Sequence, residues 1–365
     1  MHEVAELSDP PWDFLAMTET PSFSHVELAR YAKDGVSEGV QNWVTLRPLP
    51  RESYDPQTRA TDLVLRMIQS KISGAKAVFA SNPSDPSRGL LNQDGTPQDL
   101  FVPWCITTRM VGGARYLGSL QLPNGSSNHV FARGDEARMV VWNETAVTES
   151  LYLGDQVTRI DPWGRESVLP NSEQTAGQQQ QVQVGPLPTF LTGLDLALAT
   201  WRLNFSFEQD ELANVFGRQQ TAQLRFKNTF GEGVGGTLQL HAPPSWKIAN
   251  PVLRFKLGTD DDARHDFGIM LQANSSSGPQ PLRIDFDVFA DKQYRFSIHR
   301  TMQVGLGDVV VETDTWLDDE GRLVIEQHFM NQTDTRLSLN CYLFVPGRRR
   351  LRMQVFDVGP VRVTK

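Results

Sequence analysis

The sequence has little cysteine, no long apolar run and no excess of positive charge. Its two cysteines, Cys105 and Cys341, are too few among 365 residues for a disulfide framework or a cysteine-ligated metal site. Each lies in an apolar segment, the first predicted to be helical and the second a strand, so both are expected to be buried thiols. No apolar stretch approaches the roughly 20 residues that span a bilayer, and no membrane span is predicted.

The charge balance excludes several partners and cofactors. The formal net charge is −8, which argues against a nucleic-acid partner because such partners require a basic face. The seven histidines are scattered without ligand spacing, so no metal site is predicted. The acidic run at 260–262 lacks an EF-hand pattern and is predicted to be a solvated turn. Hydrophobic residues at 39% and charged residues at 21% indicate ordered globular domains.

Near residue 120 the pattern of the sequence changes. Before it, predicted strands at 13–20, 43–49 and 76–80 alternate with predicted helices. The helix that follows the second strand begins at Asp55 and Pro56, with aspartate as its cap and proline at its first position. Consecutive βα units of this kind predict a parallel sheet with right-handed crossovers.

After residue 120 short alternating strands continue to the end of the chain. Residues 128–142 predict a hairpin with its turn at Gly134 and Asp135. Further strands are predicted at 219–228, 237–242, 264–273 and 282–289, and a clear turn at 318–321. Three strands cannot close a barrel, so the first part is either a small open sheet or a partial (β/α) barrel segment whose other strands are encoded upstream. The fold class is mixed, because all-β sandwich domains of immunoglobulin-like type follow this segment.

The turn sequence Gly-Leu-Leu-Asn-Gln-Asp-Gly-Thr-Pro at 89–97, placed before an apolar helix, resembles the end of clan A glycoside hydrolase barrels. The resemblance implies that residues 13–20, 43–49 and 76–80 are the sixth, seventh and eighth strands of such a barrel. The barrel segment would cover residues 1–120, and the remaining strands would precede Met1. Residues 121–207 resemble the small β-sandwich that packs on such barrels, with Asp161, Gly164, Pro188 and Phe190 at matching positions.

Residues 208–307 resemble the immunoglobulin-like domain associated with carbohydrate modules of bacterial α-galactosidases. The order of a strand, a glycine-rich turn, a strand and the Pro-Pro-Ser-Trp sequence that ends at Trp246 carries this resemblance. Residues 308–365 are expected to be further sandwich strands, cut short at the C-terminus. A secreted or extracytoplasmic parent protein is implied, although the N-terminus of this sequence has no apolar signal core.

Retaining glycosidases hydrolyse with two carboxylates about 5 to 5.5 Å apart. By the resemblance, the acid/base would follow the fourth strand, which lies outside this sequence. The nucleophile would end the seventh strand, where Leu46 stands instead of a glutamate. Glu19 and Glu52 are the candidate catalytic carboxylates. The candidate carbohydrate contacts are Trp43, Arg47 and Tyr54.

The sequence thus predicts a glycoside-hydrolase-related protein that acts on a polysaccharide or glycoside, without a cofactor and without the acid/base in this chain. One alternative is a set of non-catalytic carbohydrate-binding or spacer modules of a cell-surface protein. Another is a structural protein whose β/α portion caps a sandwich. Trp142 and Trp163 could be sugar platforms, but packing in a core or interface is favoured for both.

Overall fold

The computed structural model describes residues 14–18, 41–170, 179–272, 275–305, 309–331, 336–343 and 351–358. Glu19, a predicted helix at 25–36 and the basic run at 348–350 lie outside these residues. The described chain consists mainly of β-strands and contains three helices. None of these helices is long and apolar enough to cross a membrane.

The first described elements form a parallel sheet with helices after its strands. Strands β1 (Phe14–Thr18), β2 (Gln41–Leu46) and β3 (Ala77–Ala80) pair in that order and run parallel. Helices α1 (Pro56–Ile72) and α2 (Phe101–Val111) follow β2 and β3. The predicted start of α1 is confirmed, because Asp55 Oδ1 accepts from the backbone N–H groups of Gln57 at 2.9 Å and Thr58 at 3.0 Å.

Helix α1 packs against a different sheet on each of its two sides. One side of α1, which includes Leu63 and Met67, packs against Val44 and Leu46 of β2. The other side, with Val64 and Ile68, packs together with α2 against a second sheet. The residues of that second sheet that complete this core are Phe131, Val140, Ile160 and Phe190.

The second sheet has six antiparallel strands in the order β4-β5-β6-β11-β8-β9. They are β4 (Arg115–Gly118), β5 (Ser127–Arg133), β6 (Glu136–Trp142), β8 (Val157–Ile160), β9 (Glu166–Leu169) and β11 (Thr189–Asp195). The predicted hairpin at 128–142 is confirmed as β5 and β6, with Gly134 at φ +60° in the turn. The paired strands β7 (Val147–Leu151) and β10 (Gln180–Val184) share a core with the face of this sheet that points away from α1 and α2.

A helix not foreseen from the sequence, α3 (Leu196–Asn204), follows β11. Asp195 caps it by accepting from the Leu198 N–H at 2.9 Å. The six-stranded sheet and the β7–β10 pair share one core, and we call them the first sandwich. Ala199 packs into this core, whereas Leu198 and Trp201 pack into the core of a second sandwich. The helix therefore joins the two sandwiches.

The second sandwich consists of a four-stranded and a five-stranded sheet that share one core. The smaller sheet, in the order β12-β14-β18-β16, contains β12 (Ser206–Phe207), β14 (Gln219–Lys227), β16 (Trp246–Ala249) and β18 (Asp262–Leu271). The larger sheet, in the order β13-β20-β19-β15-β17, contains β13 (Glu211–Leu212), β15 (Val234–His241), β17 (Val252–Leu257), β19 (Gly278–Phe289) and β20 (Gln293–Val304). The Trp201 ring lies at the centre, 5.4 Å from Phe226 and 5.7 Å from Phe286 between ring centroids.

Two antiparallel pairs follow the second sandwich. Strands β21 (Val309–Leu317) and β22 (Leu323–Asn331) form a hairpin, and β23 (Leu337–Leu343) pairs with β24 (Leu351–Val358). The predicted turn at 318–321 is confirmed, since Asp318 Oδ1 accepts from the N–H groups of Glu320 at 3.1 Å and Arg322 at 2.8 Å.

The prediction that Cys105 is buried is wrong, because its thiol is exposed and free. Helix α2 turns Pro103, Thr107 and Met110 inward, at spacings of four and three residues. Cys105 lies off this stripe and faces solvent. The side chain of Cys341 lies outside the described residues.

Candidate functional site

The candidate site lies at the carboxyl edge of the parallel sheet. Because β2 and β3 are parallel, the loops that follow them, residues 47–55 and 81–92, emerge at the same edge. We call them the carboxyl-edge loops. They are hydrogen-bonded to each other, from Arg51 N to Ser87 O at 3.0 Å and from Arg88 Nη1 to Pro48 O at 3.2 Å.

A buried arginine of α1 is hydrogen-bonded to both loops. The Arg59 side chain is fully buried, and its Nε donates to Leu49 O at 2.9 Å in the first loop. Its Nη2 donates to Ser87 O at 3.4 Å in the second loop, and its Nη1 is paired with Asp99. One guanidinium group therefore fixes both loops relative to the helix.

Glu52 is exposed on the first loop, and its ionisation is favoured by its neighbours. The Ser87 hydroxyl of the second loop donates to its Oε2. This hydrogen bond is the main reason why the pKa of Glu52 is lower than the ordinary value for glutamate. At neutral pH Glu52 is therefore an ionised hydrogen-bond acceptor.

The other candidate contacts are distributed over the loop and the strand. Arg47 is exposed directly after β2, and Tyr54 is 43% exposed just before α1. Trp43 lies four residues before Arg47, a distance of about 13 Å along an extended strand. It is partly buried, with its ring centroid 5.5 Å from that of Phe79. The structure thus brings Arg47, Glu52 and Tyr54 into one loop, with Trp43 farther along the sheet.

A groove of about 700 Å³ lies at the start of α1, directly after Tyr54 in sequence. It is lined by Asp55, Pro56, Gln57, Trp163 and Arg165. The favoured packing role of Trp163 fits its position, since it is partly buried against the core between β2 and the helices. The same tryptophan also lines the groove, where the Arg165 guanidinium carbon lies 5.9 Å from its ring centroid.

Gln57 and Arg165 were not predicted as site residues. Asp161 holds Arg165 through a hydrogen bond from Arg165 Nε at 2.6 Å. Asp161 also accepts from the Trp163 and Arg165 N–H groups at 2.9 and 3.0 Å, which fixes the turn that carries both side chains. The sequence analysis singled out Asp161, Trp163 and Gly164 in this turn, but none of these residues indicated that the turn lies beside the start of α1.

Four further carboxylates of this region, as far as the structure describes it, each accept at least one local hydrogen bond. They accept from backbone N–H groups, from a threonine hydroxyl or from Arg59. This set comprises Asp55, Asp85, Asp94 and Asp99.

The described residues contain no group of three or more histidine, cysteine, aspartate or glutamate side chains arranged to hold a metal ion. In the acidic run at 260–262, Asp260 lies 3.3 Å from Lys227 Nζ and Asp262 lies 3.6 Å from Arg225 Nη2.

No protein-family model and no curated protein matches this sequence. Among solved structures, the chain is similar to a family 39 glycoside hydrolase from the gut symbiont Bacteroides cellulosilyticus WH2, with 14% identity over 46% of this chain and 37% of that chain at a TM-score of 0.36. It is similar to an alpha-L-fucosidase, with 13% identity over 51% of this chain and 43% of that chain at a TM-score of 0.26. It is also similar to a chain of a chaperone–tip adhesin complex of CFA/I fimbriae biogenesis, with 9% identity over 44% of this chain and 83% of that chain at a TM-score of 0.18.

The chain thus spans less than half the length of the first two of these structures. Glycoside hydrolases are among its structural neighbours, but similarity at these TM-scores shows neither a shared fold over the whole chain nor a shared activity.

Proposed function

We propose that this chain binds carbohydrate through the carboxyl-edge loops and the adjoining groove, as part of a glycoside-hydrolase-related protein. The observation that carries this proposal is the combination of side chains at the start of α1. Tyr54 and Trp163 offer aromatic surface, Glu52 is an ionised acceptor, and Arg165 is an exposed donor.

This combination suits the chemistry of a sugar. The C–H bonds of one face of a pyranose pack on an aromatic ring, and its hydroxyls exchange hydrogen bonds with charged and amide side chains at the rim. The Gln57 side chain is exposed beside Trp163, so it can both donate to and accept from a hydroxyl. Hydrogen bonds to the ionised Glu52 are of the stronger, charge-assisted kind.

The same proposal assigns the parallel sheet to a (β/α)8 barrel segment. In a barrel, helices cover one face of the sheet and the other face points inward. In support, Val44 and Leu46 face α1, while Trp43 and Thr45 alternate to the opposite face. Phe79 lies beside Trp43 and is 45% exposed, as expected of a side chain that lines an open interior.

Binding without hydrolysis is the activity that we assign to this chain alone. A general acid requires a carboxyl group whose pKa is raised, whereas Ser87 lowers the pKa of Glu52. Glu52 is therefore suited to accept a hydroxyl or to act as a nucleophile, but not to protonate a leaving group. Glu19 stays a prediction, because it lies outside the described residues.

We further assign the sandwich of residues 206–304 to the immunoglobulin-like domains that accompany carbohydrate modules. Support comes from its two sheets around one aromatic core and from Trp246, which is buried after the Pro-Pro-Ser turn. In the alternative of non-catalytic spacer modules, this sandwich would set the distance between a glycan surface and the rest of the protein.

Affinity gel electrophoresis tests the proposal, with xylan, galactomannan, mixed-linkage β-glucan and pectic galactan as probes in separate gels. At least one polysaccharide should retard the chain, and Trp163→Ala, Tyr54→Ala and Glu52→Gln should each weaken that retardation about fivefold or more. Trp316→Ala is the matched control, because Trp316 is 45% exposed on the β21–β22 hairpin.

The variants must keep the thermal transition of the parent chain, so that lost binding is not lost folding. Equal retardation of all four variants would refute the assigned surface, and no retardation by any probe would speak against carbohydrate binding. Release of reducing ends from a retarding polysaccharide would overturn the assignment of binding without hydrolysis.

A further inference from the structure

The junction between the two sandwiches contains two arginines, one buried and one partly buried, that form no ion pair with a carboxylate among the described residues. Arg202 of α3 is 4% exposed, and Arg300 of β20 lies beside it. Within the part of the chain that the structure describes, neither forms an ion pair with an acidic side chain. Desolvation by burial lowers the pKa of each guanidinium group to about 10, so both remain charged at neutral pH.

Arg300 has its hydrogen bonds satisfied by the end of α3. Its Nη2 donates to Arg202 O at 2.6 Å and to Phe205 O at 2.8 Å, and its Nη1 donates to His299 O at 2.8 Å. These include carbonyls at the C-terminal end of the helix, where the partial negative charge of the helix dipole favours a cation. This charge is therefore compensated in part by backbone dipoles.

The positive charge of Arg202 is compensated less completely by its neighbours. Its Nε donates a long hydrogen bond of 3.4 Å to Ser297 O, and its guanidinium carbon lies 5.3 Å from the Phe296 ring centroid. Its Nη2 is buried and has no hydrogen-bond partner among the described residues. A buried charged donor without an acceptor is costly, and such groups are normally satisfied by an ion or an ordered water.

A small cavity lies at this position. It has a volume of about 10 Å³ and is lined by Arg202, Arg300, His299, Ser297 and residues of the 120–123 segment and β7. No aspartate or glutamate is among its described lining residues. This volume is about that of a single water-sized probe, so the cavity suits a small ligand such as a water molecule or a monatomic anion.

Positive side chains act more strongly than negative ones on His299, which lines the cavity. Arg283 and Arg202 act on His299 and lower its pKa together with burial, while Asp285 and Glu149 oppose them more weakly. Glu149 is already the acceptor for the N–H groups of Asn124 and Ser126 at 3.0 and 3.1 Å. Asp195 also acts on Arg202 with opposite charge, but it caps α3 and does not line the cavity, so the charged groups that line the cavity are positive.

We propose that this cavity binds one chloride ion, which accepts a hydrogen bond from Arg202 and links the two sandwiches. Arg202 and the residues of the 120–123 segment come from the first sandwich and its connecting helix, and His299 and Arg300 come from the second. An anion held between them stabilises their packing, since it binds the folded state and not the unfolded chain.

Thermal unfolding of the full chain in sodium chloride and in sodium methanesulfonate at equal ionic strength tests the site. Methanesulfonate is a larger, polyatomic anion of the same charge, so the comparison separates binding of a monatomic anion from general screening. Chloride at about ten times its Kd should raise the Tm by about 2–6 °C relative to methanesulfonate, and the rise should saturate. Arg202→Met should lose this increment, whereas Arg109→Met, which alters an exposed arginine, should keep it.

Crystals of the unmodified chain soaked in sodium bromide provide a second test that needs no variant. An anomalous peak within hydrogen-bond distance of Arg202 Nη2 is expected. An ordered water without anomalous signal at that position would overturn the proposal. So would equal Tm values in the two salts, or a chloride increment that persists in Arg202→Met.

Discussion

Replacement of Arg59 by methionine should destabilise the candidate site more than any exposed substitution around it. Methionine retains most of the side-chain volume but removes the donors to Leu49 O and Ser87 O and the partner of Asp99. Leu49 is itself buried, so its carbonyl would lose its donor in a position with limited access to water.

The magnitude follows from burial. Removal of one partner from a fully buried ion pair costs about 3–5 kcal/mol. Because Asp99 is 28% exposed, water can solvate part of its carboxylate, and we expect a cost at or somewhat below the lower bound of that range, about 2–3 kcal/mol. The second substitution Asp99→Leu in the Arg59→Met background should recover about 1 kcal/mol, because no unpaired carboxylate then remains.

Urea unfolding and amide hydrogen exchange together measure this effect. Exchange of the amides at 47–55 should accelerate in Arg59→Met, since the loops lose their shared anchor. Arg109→Met is the control, because Arg109 and its partner Glu166 are both more than half exposed, and its effect should stay within about 0.5 kcal/mol. If Arg59→Met unfolds like this control and the loop amides stay protected, Arg59 does not hold the two loops together.

Three further predictions concern the sandwiches and their junction. Trp201→Ala should lower the free energy of unfolding by about 3–5 kcal/mol in urea titrations, because the ring is fully buried among phenylalanines. Gly193→Ala should cost more than about 1 kcal/mol, since its φ of +72° suits glycine and an added Cβ would lie 2.2 Å from Gln156 O. Burial, and then two neighbouring arginines, lower the pKa of His299, so the unfolded chain takes up a proton that the folded chain resists. Stability should therefore fall as the pH drops from about 6.5 toward the folded-state pKa, and His299→Leu should reduce that fall in Tm measurements between pH 7.5 and 5.5.

Elements with local signals could be predicted from the sequence. Helix α1 combines an aspartate cap, a proline at its first position and apolar residues at helical spacing, and all of these signals lie within one segment. The β5–β6 hairpin is likewise specified by Gly134 in its turn and by alternating flanks. In both cases the residues that determine the element are neighbours in the chain.

Helix α3 could not be predicted in this way. It is nine residues long and is buried toward both sandwiches, so its apolar residues do not form a single stripe. The preceding strand β11 is also apolar, and the run from Thr189 to Phe205 therefore resembles extended sandwich strands. Asp195 was the one local sign of a helix start, and an isolated aspartate occurs at many turns.

Only part of the candidate site could be predicted from local sequence. Arg47, Glu52 and Tyr54 follow a predicted parallel strand, and loops at that edge are the expected place for function. The groove beside them depends on contacts across the fold, since Trp163 and Gln57 are about a hundred residues apart in sequence. Their proximity results from the packing of the six-stranded sheet on α1 and α2, which no local pattern specifies.

That packing explains why the loops and the groove can act as one surface. Helix α1 is buried on one side against β2, which leads into the first loop, and on the other side against the sheet that carries Trp163. Closely packed cores of this kind do not deform continuously, so the spacing between Tyr54 and Trp163 is set by the helix layer. A sugar chain that contacts both rings would therefore meet a preorganised surface, and its affinity would not be reduced by the cost of ordering the two modules.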